Sequence, residues 1–576
     1  MKRAAPCSPF HADPPPARSG DAIRLEGAAK QALEVGRSRL LVASLLFAVA
    51  FLIIAGRLVS VALLTEGREP RLAGTPTPAA LETERADIVD RNGVILATNL
   101  ATASLYANAR ELTDPATTAA TLARVLPDVD AAELVAKLSA DRSFVWVKRN
   151  LTPRQHYAVN RLGIPGLYFQ REERRVYPHG PLAAHVLGFT DIDNRGIAGV
   201  EQHFDRRLKD DHQPLALSID IRMQHVLREE LARAVAEFSA LGGGGVILDA
   251  TSGEILAMVS LPDFDPNAPG VASPEARFNR NTLGVYEMGS VFKIFTTAMA
   301  LDSGVTSLSG GYDASRPIRV SRYTITDYHP KKRWLSVPEI FMYSSNIGSA
   351  RMALDVGPER QRDFLGRLGM LKPLALELPE LGEPQGPSAW KDLATMTIAF
   401  GHGLSVTPMH MAAGVSAIVN GGRLIPTTLT RRDPRQPVAG VQVIRPDTSE
   451  AMRRLMRLAV ERGTGKNADV PGYRVGGKTG TAEKVAGRRY KHNALFSSFV
   501  AAFPIEKPRF VLFIALDEPQ ATKATHGFAT GGWIAAPVAA RVIERVAPIA
   551  GVAPIEDETF DETDGLLVAV TAKGGD

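Results

Sequence analysis

The stretch YEMGSVFKIFT (286–296) contains two residues whose types and spacing suit chemistry. Ser290 follows a glycine, and Lys293 stands three residues later among Val291, Phe292, Ile294 and Phe295. At i and i+3 of a helix the two side chains share a face. A serine hydroxyl is a poor nucleophile until a base takes its proton, and a lysine is that base only when neutral. Burial disfavours the ammonium form, and lowering its pKa from about 10.4 to near 7 takes roughly 4–5 kcal/mol of differential destabilisation. The apolar neighbours suit that task. Gly289 allows a tight entry that puts Ser290 near a helix N-terminus, where backbone N–H groups face a developing oxyanion.

Spacing alone does not single out this pair, because Ser388 and Lys391 repeat it. What distinguishes Ser290 is its company. Downstream lie Ser344-Ser345-Asn346 and Lys478-Thr479-Gly480-Thr481. A hydroxyl and an amide at i and i+2 of a loop can face one cleft, one relaying a proton and the other holding a substrate amide. A cation with two hydroxyls suits a carboxylate, and glycine between them admits close approach to the strand. Ser388 is followed by no such Ser-x-Asn. The segment GYRVGGKT (472–479) also fits a nucleotide-binding loop pattern. That loop needs a buried strand before it and a helix from the Lys-Thr onward. Here NADVP precedes and Gly480 follows, so the segment reads as a carboxylate-binding strand.

These residues must be positioned by a large framework. The 576-residue chain exceeds one ordinary domain, and its 45% hydrophobic and 22% charged residues read as globular. The Asn-Gly in DIVDRNGVILA (87–97) predicts a hairpin. Residues 221–240 carry helical apolar spacing, and 244–260 read as strand, turn, strand. LFSSFVAAFP and FVLFIALDEP, near the end, read as further strands. A net charge of +5 gives no argument for a nucleic-acid partner. A single cysteine, Cys7, excludes an intrachain disulfide, and the twelve histidines show no metal-ligand spacing. No metal and no cofactor is expected.

Residues 40–56 are uncharged, and beyond Arg57 the apolar pattern resumes to Leu64. A helix over 40–64 would be roughly 37 Å long, enough to span a bilayer. Residues 1–39 hold seven Lys/Arg against four acids, whereas 65–87 hold three against five. The excess of positive charge before the span predicts a cytosolic N-terminus, with about 510 residues outside. The expected division is a disordered cytoplasmic tail (1–36), a transmembrane anchor (37–64), a mixed α+β pedestal domain (65–214), a catalytic α/β domain (215–550) and an acidic flexible tail (551–576).

The order Ser-x-x-Lys, Ser-x-Asn, Lys-Thr-Gly resembles that of the penicillin-binding proteins and serine β-lactamases. LDATSGEILAMVSLPDFDPN (248–267), GHGLSVTPMH (401–410) and GGWIAAPV (531–538) are similar to class B transpeptidase segments. YPHGPLAAHVLGFTDIDNRGIAGVEQHFD (177–205) resembles the pedestal of the division-specific, FtsI-type members. RADIVDRNG (85–93) departs from the family pattern, with Ala86 where glycine is usual, which puts pedestal geometry or partner contacts in question more than activity. The resemblance implies a central antiparallel sheet with helices on both faces, an all-helical lobe and a pedestal.

It further implies a D,D-transpeptidase that cross-links peptidoglycan stem peptides in a bacterial inner membrane and is acylated by β-lactams. Ser290 would be the nucleophile, Lys293 its base, Ser344 with Lys478 the proton relay, and Asn346 the holder of the donor amide. Thr479 and Thr481 would bind the terminal carboxylate, and the N–H groups of Ser290 and Thr481 the oxyanion. A D,D-carboxypeptidase or β-lactamase would share the motifs, and a mainly scaffolding division protein is the further alternative. A pedestal of roughly 130 residues is too small for a glycosyltransferase, so glycan polymerisation is expected from a partner of the FtsW type.

Overall fold

The computed structural model describes residues 41–56, 85–320, 323–486, 489–555, 563 and 565–567. The first of these is a helix over 41–56. Among the described residues no helix is long and apolar enough to cross a membrane. The remainder of the expected anchor, Arg57 included, lies outside the described residues, as do the expected cytoplasmic tail and the first residues of the expected pedestal domain, 65–84.

From residue 85 onward the chain forms one unit. Its first part is built on the predicted hairpin. Ile88–Val89 pairs antiparallel with Ile95–Ala107, with Val89 opposite Ile95. Asp90 closes the turn by accepting from the N–H groups of Asn92 and Val94 at 2.7 and 2.9 Å, and Gly93 takes φ +86°. Ile95–Ala107 also pairs with Val145–Leu151 and with Leu167–Val176. Ile88–Val89 pairs parallel with Leu215–Ala216. Ala86 is buried and donates its N–H to Leu208 O at 2.7 Å. Beside it the buried Arg85 and Arg175 share Glu201.

The second part centres on five antiparallel strands: β1 (Gly242–Asp249), β2 (Ile255–Leu261), β3 (Gly476–Ala486), β4 (Arg489–Phe503) and β5 (Phe510–Asp517), in the order β3-β4-β5-β1-β2. Their apolar runs bury both faces, and the period of two sorts side chains into separate cores. Phe499, Ala501, Phe503, Leu512 and Ile514 face helices α1 (Ile221–Glu237) and α7 (Ala535–Ile549). Val500, Ala502, Val511, Phe513 and Ala515 face the other core, which includes α5 (Pro408–Val419). Glycines open β1 because α1 lies close on it. A Cβ on Gly243 or Gly245 would stand 3.0 or 2.9 Å from Leu231 or Leu227.

Beyond α5 the helical lobe contains α2 (Lys293–Ser303), α3 (Val337–Tyr343), α4 (Asn346–Val356) and α6 (Pro446–Glu461). Near the C-terminus, in the segment expected to be a flexible acidic tail, Thr563 donates to Glu461 at 2.9 Å and Leu566 packs against Met342 and Leu458. Leu566, which follows the acidic run EDETFDETD (556–564), supplies that apolar contact.

Candidate active site

Ser290 lies in a 3₁₀ turn, Gly289–Phe292, that runs into α2 at Lys293. In a 3₁₀ turn residues i and i+3 eclipse, which brings Lys293 Nζ to 2.8 Å from Ser290 Oγ. The turn is fixed by close backbone contact on two sides. Gly289 has φ +56°, donates its N–H to Gly401 O at 3.1 Å, and a Cβ there would collide with the Thr481 carbonyl of β3. Gly401, at φ +86°, is pressed equally tightly against Gly289. Only glycine fits either position.

Ser344 caps the C-terminus of α3 in the left-handed region, φ 60° and ψ 43°. For a non-glycine residue this conformation is costly, and it turns both the carbonyl and the hydroxyl of Ser344 toward Lys293. Nζ is 2.7 Å from Ser344 O, 3.1 Å from Ser344 Oγ and 2.7 Å from Asn346 Oδ1. Ser345 caps α4 by accepting from Gly348 N–H at 3.0 Å, and donates to Asp327 at 2.8 Å. Asp327 also accepts from Ile347 N–H at 3.0 Å. Asn346 Nδ2 donates to Thr326 O at 2.9 Å, leaving one of its two N–H bonds for a ligand.

Lys293 is 1% exposed. Burial pushes its pKa well below the ordinary lysine range; the neighbouring Lys478 charge pushes the same way, and Asp327 opposes. As a neutral amine it has two N–H bonds and one lone pair. Ser344 O and Asn346 Oδ1 can only accept and take both N–H bonds. The lone pair is left to accept from a hydroxyl, and Ser290 is the nearer one.

Lys478 lies in β3 opposite Val500, so the nucleotide-loop pattern at 472–479 ends in a strand and no helix starts there. Its Nζ donates to Ser344 Oγ at 2.9 Å, and burial lowers its pKa to about 7. Thr479 and Thr481 alternate to the other side of the strand. Thr479 Oγ1 meets Thr464 Oγ1 at 2.8 Å, and Thr481 Oγ1 accepts from Gly531 N–H at 3.0 Å, so its own proton remains available. Gly480 is needed for a reason other than the ligand access expected of it. A Cβ would stand 2.5 Å from Val291 Cγ2 and 2.7 Å from Met288 O, so the glycine lets β3 lie against the turn bearing Ser290. Ser388 and Lys391 are exposed, in a bend and just before a helix.

The structure therefore gathers Ser290, Lys293, Ser344, Asn346 and Lys478 into one hydrogen-bonded cluster, with Thr479, Gly480 and Thr481 on the adjoining edge strand. The residue patterns assigned no role to Asp327, Thr464, Gly401 or Gly531, although Gly401 and Gly531 open two of the segments that carry the family resemblance. Each acts by holding a neighbouring group in place, and the local signals are the paired glycines of GHG at 401–403 and of GG at 531–532.

Residues 243–544 match the penicillin-binding protein transpeptidase domain, and residues 80–212 match the penicillin-binding protein dimerisation domain. The chain is 43% identical over 485 residues to a probable peptidoglycan D,D-transpeptidase FtsI of Caulobacter vibrioides, covering 82% of each protein. It is 31% identical over 534 residues to the peptidoglycan D,D-transpeptidase FtsI of Escherichia coli K12, covering 86% of this chain and 88% of that one. A crystal structure of penicillin-binding protein 3 from Mycobacterium tuberculosis, complexed with aztreonam, shares the fold at TM-score 0.65 and 24% identity, covering 82% of this chain and 98% of that one. With its fold, its site geometry and both domain matches in agreement, the chain belongs to the penicillin-binding proteins, in the FtsI-type group.

Proposed function

We propose that the chain is a peptidoglycan D,D-transpeptidase that works through an acyl-enzyme on Ser290. The observation that carries this reading is the buried Lys293 amine, 2.8 Å from Ser290 Oγ, with two acceptor-only oxygens holding its N–H bonds. Lys293 takes the Ser290 proton as Oγ bonds to the carbonyl carbon between the two terminal D-alanines of a stem peptide. The N–H groups of Ser290 and Thr481, brought together by the Gly289–Thr481 contact, hold the oxyanion. As the C–N bond breaks, Ser344 passes a proton to the departing D-alanine amine. Ser344 is suited to this because both lysines touch its hydroxyl, at 3.1 and 2.9 Å. Asn346 holds the donor amide with its remaining N–H, and Thr479 and Thr481 bind the terminal carboxylate. An amine of a second stem peptide then attacks the ester, forming the cross-link and freeing Ser290. A β-lactam presents the same carbonyl and carboxylate and leaves Ser290 acylated.

The apolar segment 40–64 and the charge imbalance around it support a single-pass inner-membrane protein with its catalytic domain outside. The FtsI likeness supports septal synthesis beside a partner glycan polymerase of the FtsW type.

Labelling with a fluorescent penicillin tests the mechanism. Ser290→Ala should abolish labelling while Ser388→Ala leaves it intact, and persistent labelling of Ser290→Ala would sink it. Comparing cross-linked product with D-alanine released to water then separates transpeptidase from carboxypeptidase.

A further inference from the structure

Far from Ser290 in sequence, four aromatic side chains form a row across three strands of the pedestal sheet. Tyr106 is the register partner of both Trp146 and Tyr168. Its ring stacks on Phe144 and Tyr168 at 4.6 and 5.5 Å, and Phe144 meets Trp146 edge-on at 4.8 Å. Leu105, Ala107 and Val145, the sequence neighbours, point the opposite way into a core with Leu122 and Leu134. The row thus occupies the outer face. Phe144 and Tyr168 are 43% and 42% exposed. Cross-strand packing accounts for rings lying side by side, but not for keeping large rings open to water, and exposed apolar patches of this kind mark binding surfaces.

The row continues into a polar cleft. Arg149 stacks on Trp146 at 5.2 Å, pairs with Glu172, and lines a cavity of about 770 Å³ between pedestal residues such as Asn150 and Asn194 and catalytic-domain residues such as Asn267. Arg174 and Arg277 line the same cavity from its two sides, and both are exposed, their guanidinium groups with no ion-pair or hydrogen-bond partner among the described residues. Arg175 lines it too. It is 4% exposed, donates from Nε to Glu201 and from Nη1 to Asn99, and its buried Nη2 has no partner. From Tyr168 to Arg174 along one strand is about 20 Å.

We propose that this face is a second, non-catalytic binding site for a linear glycan bearing carboxylate-containing peptides. Sugar rings lie on the aromatic row and peptide carboxylates reach the unspent guanidinium groups. The assignment rests on the peptidoglycan reading above. Sugar rings have apolar faces and polar rims, which matches exposed rings edged by Tyr hydroxyls and an indole N–H. Free guanidinium groups fit carboxylates as forks. A protein partner would be expected to find a dry apolar core at the centre of its interface, whereas this face turns from a single row of rings directly into a wet, charged cleft. Held here, an uncross-linked strand would be retained near the catalytic domain between turnovers.

The test uses full-length protein in detergent, acylated beforehand with benzylpenicillin so that the catalytic cleft is blocked. Acylation is scored separately, so a failure of the catalytic reading registers there. Binding is measured for uncross-linked peptidoglycan strands, for peptide-free chito-oligosaccharide and for an acidic peptide alone. Acylated wild type should bind the strands most tightly. Trp146→Ala and Tyr168→Ala should each weaken strands and chito-oligosaccharide by about tenfold. The Arg174→Ala/Arg277→Ala double variant should weaken strands alone and flatten their salt dependence. Wild-type rates of penicillin labelling show that a variant is folded, and Tyr168→Ala, at an exposed ring, keeps the test open if Trp146→Ala unfolds. No affinity of acylated wild type for strands, unchanged binding in the folded aromatic variants, or an acidic peptide binding as tightly as strands would each overturn the proposal.

Discussion

Replacing Lys478 with Met should move the acid limb of Ser290 acylation to higher pH. Lys293 and Lys478 both touch Ser344 Oγ, at 3.1 and 2.9 Å, so their amines are no more than about 6 Å apart. Burial lowers both, Lys478 to about 7, so Lys478 carries its charge below neutrality. At about 6 Å and an effective dielectric of about 20, two such charges repel by about 3 kcal/mol, equivalent to about 2 pH units. On acidification the charged Lys478 therefore keeps Lys293 neutral and able to accept the Ser290 proton. Lys478→Met keeps the length and burial of the side chain and deletes its charge, so Lys293 takes a proton about 1–2 pH units sooner as the pH falls. The assay is the second-order rate of acylation by a fluorescent penicillin as a function of pH, in wild type and variant. The rate should drop at every pH because Ser344 loses a partner, so the diagnostic quantity is the midpoint of the acid limb. The two amines titrate as a pair, and the comparison is between apparent midpoints. A limb that stays in place or moves to lower pH would refute the coupling of the two lysines through Ser344.

Two further outcomes follow from the same geometry. Gly480→Ala places a Cβ 2.5 Å from Val291 Cγ2 and 2.7 Å from Met288 O, and should cost about 1–3 kcal/mol of stability while slowing acylation by about tenfold or more through displacement of the serine turn; thermal unfolding and penicillin labelling check the two effects. Lys478 also links stability to pH. Its folded pKa of about 7 lies below an unfolded value of about 10.4, so the unfolded state binds more protons between those limits and stability rises with pH across that window. The cost, about 5 kcal/mol, is fully present below about pH 7 and gone above about pH 10.4. Lys478→Met lacks it, so its Tm advantage over wild type should be greatest near pH 7 and shrink as the pH rises, and an advantage that grows with pH would contradict the assignment.

Much of the framework was legible in the sequence where signals are local. The Asn-Gly hairpin, the helix at 221–237 and the paired strands at 242–261 follow from turn chemistry and from periods of 2 and 3.6. The chemistry-bearing side chains were legible from residue type and order. Their supports were not, because Asp327, Thr464 and Gly531 act through one or two hydrogen bonds each, to residues 15 or more positions away in the chain. Gly480 was read as room for a ligand, whereas its neighbours are Val291 and Met288 of the same protein. Local pattern shows that a backbone needs space without showing what fills it. In the C-terminal segment, composition favoured solvent for Thr563 and Leu566, and a contact with Met342 and Leu458 decided otherwise.

By itself the sequence determined the kinds of group available, a hydroxyl and an amine three residues apart with a second hydroxyl, an amide and a second amine far downstream, because covalent order fixes identity and short-range spacing. Whether either lysine is neutral was decided only by the tertiary structure. Charge state depends on desolvation and on the other cation, and both exist only once α2, the α3–α4 junction and β3 meet around Ser344 Oγ.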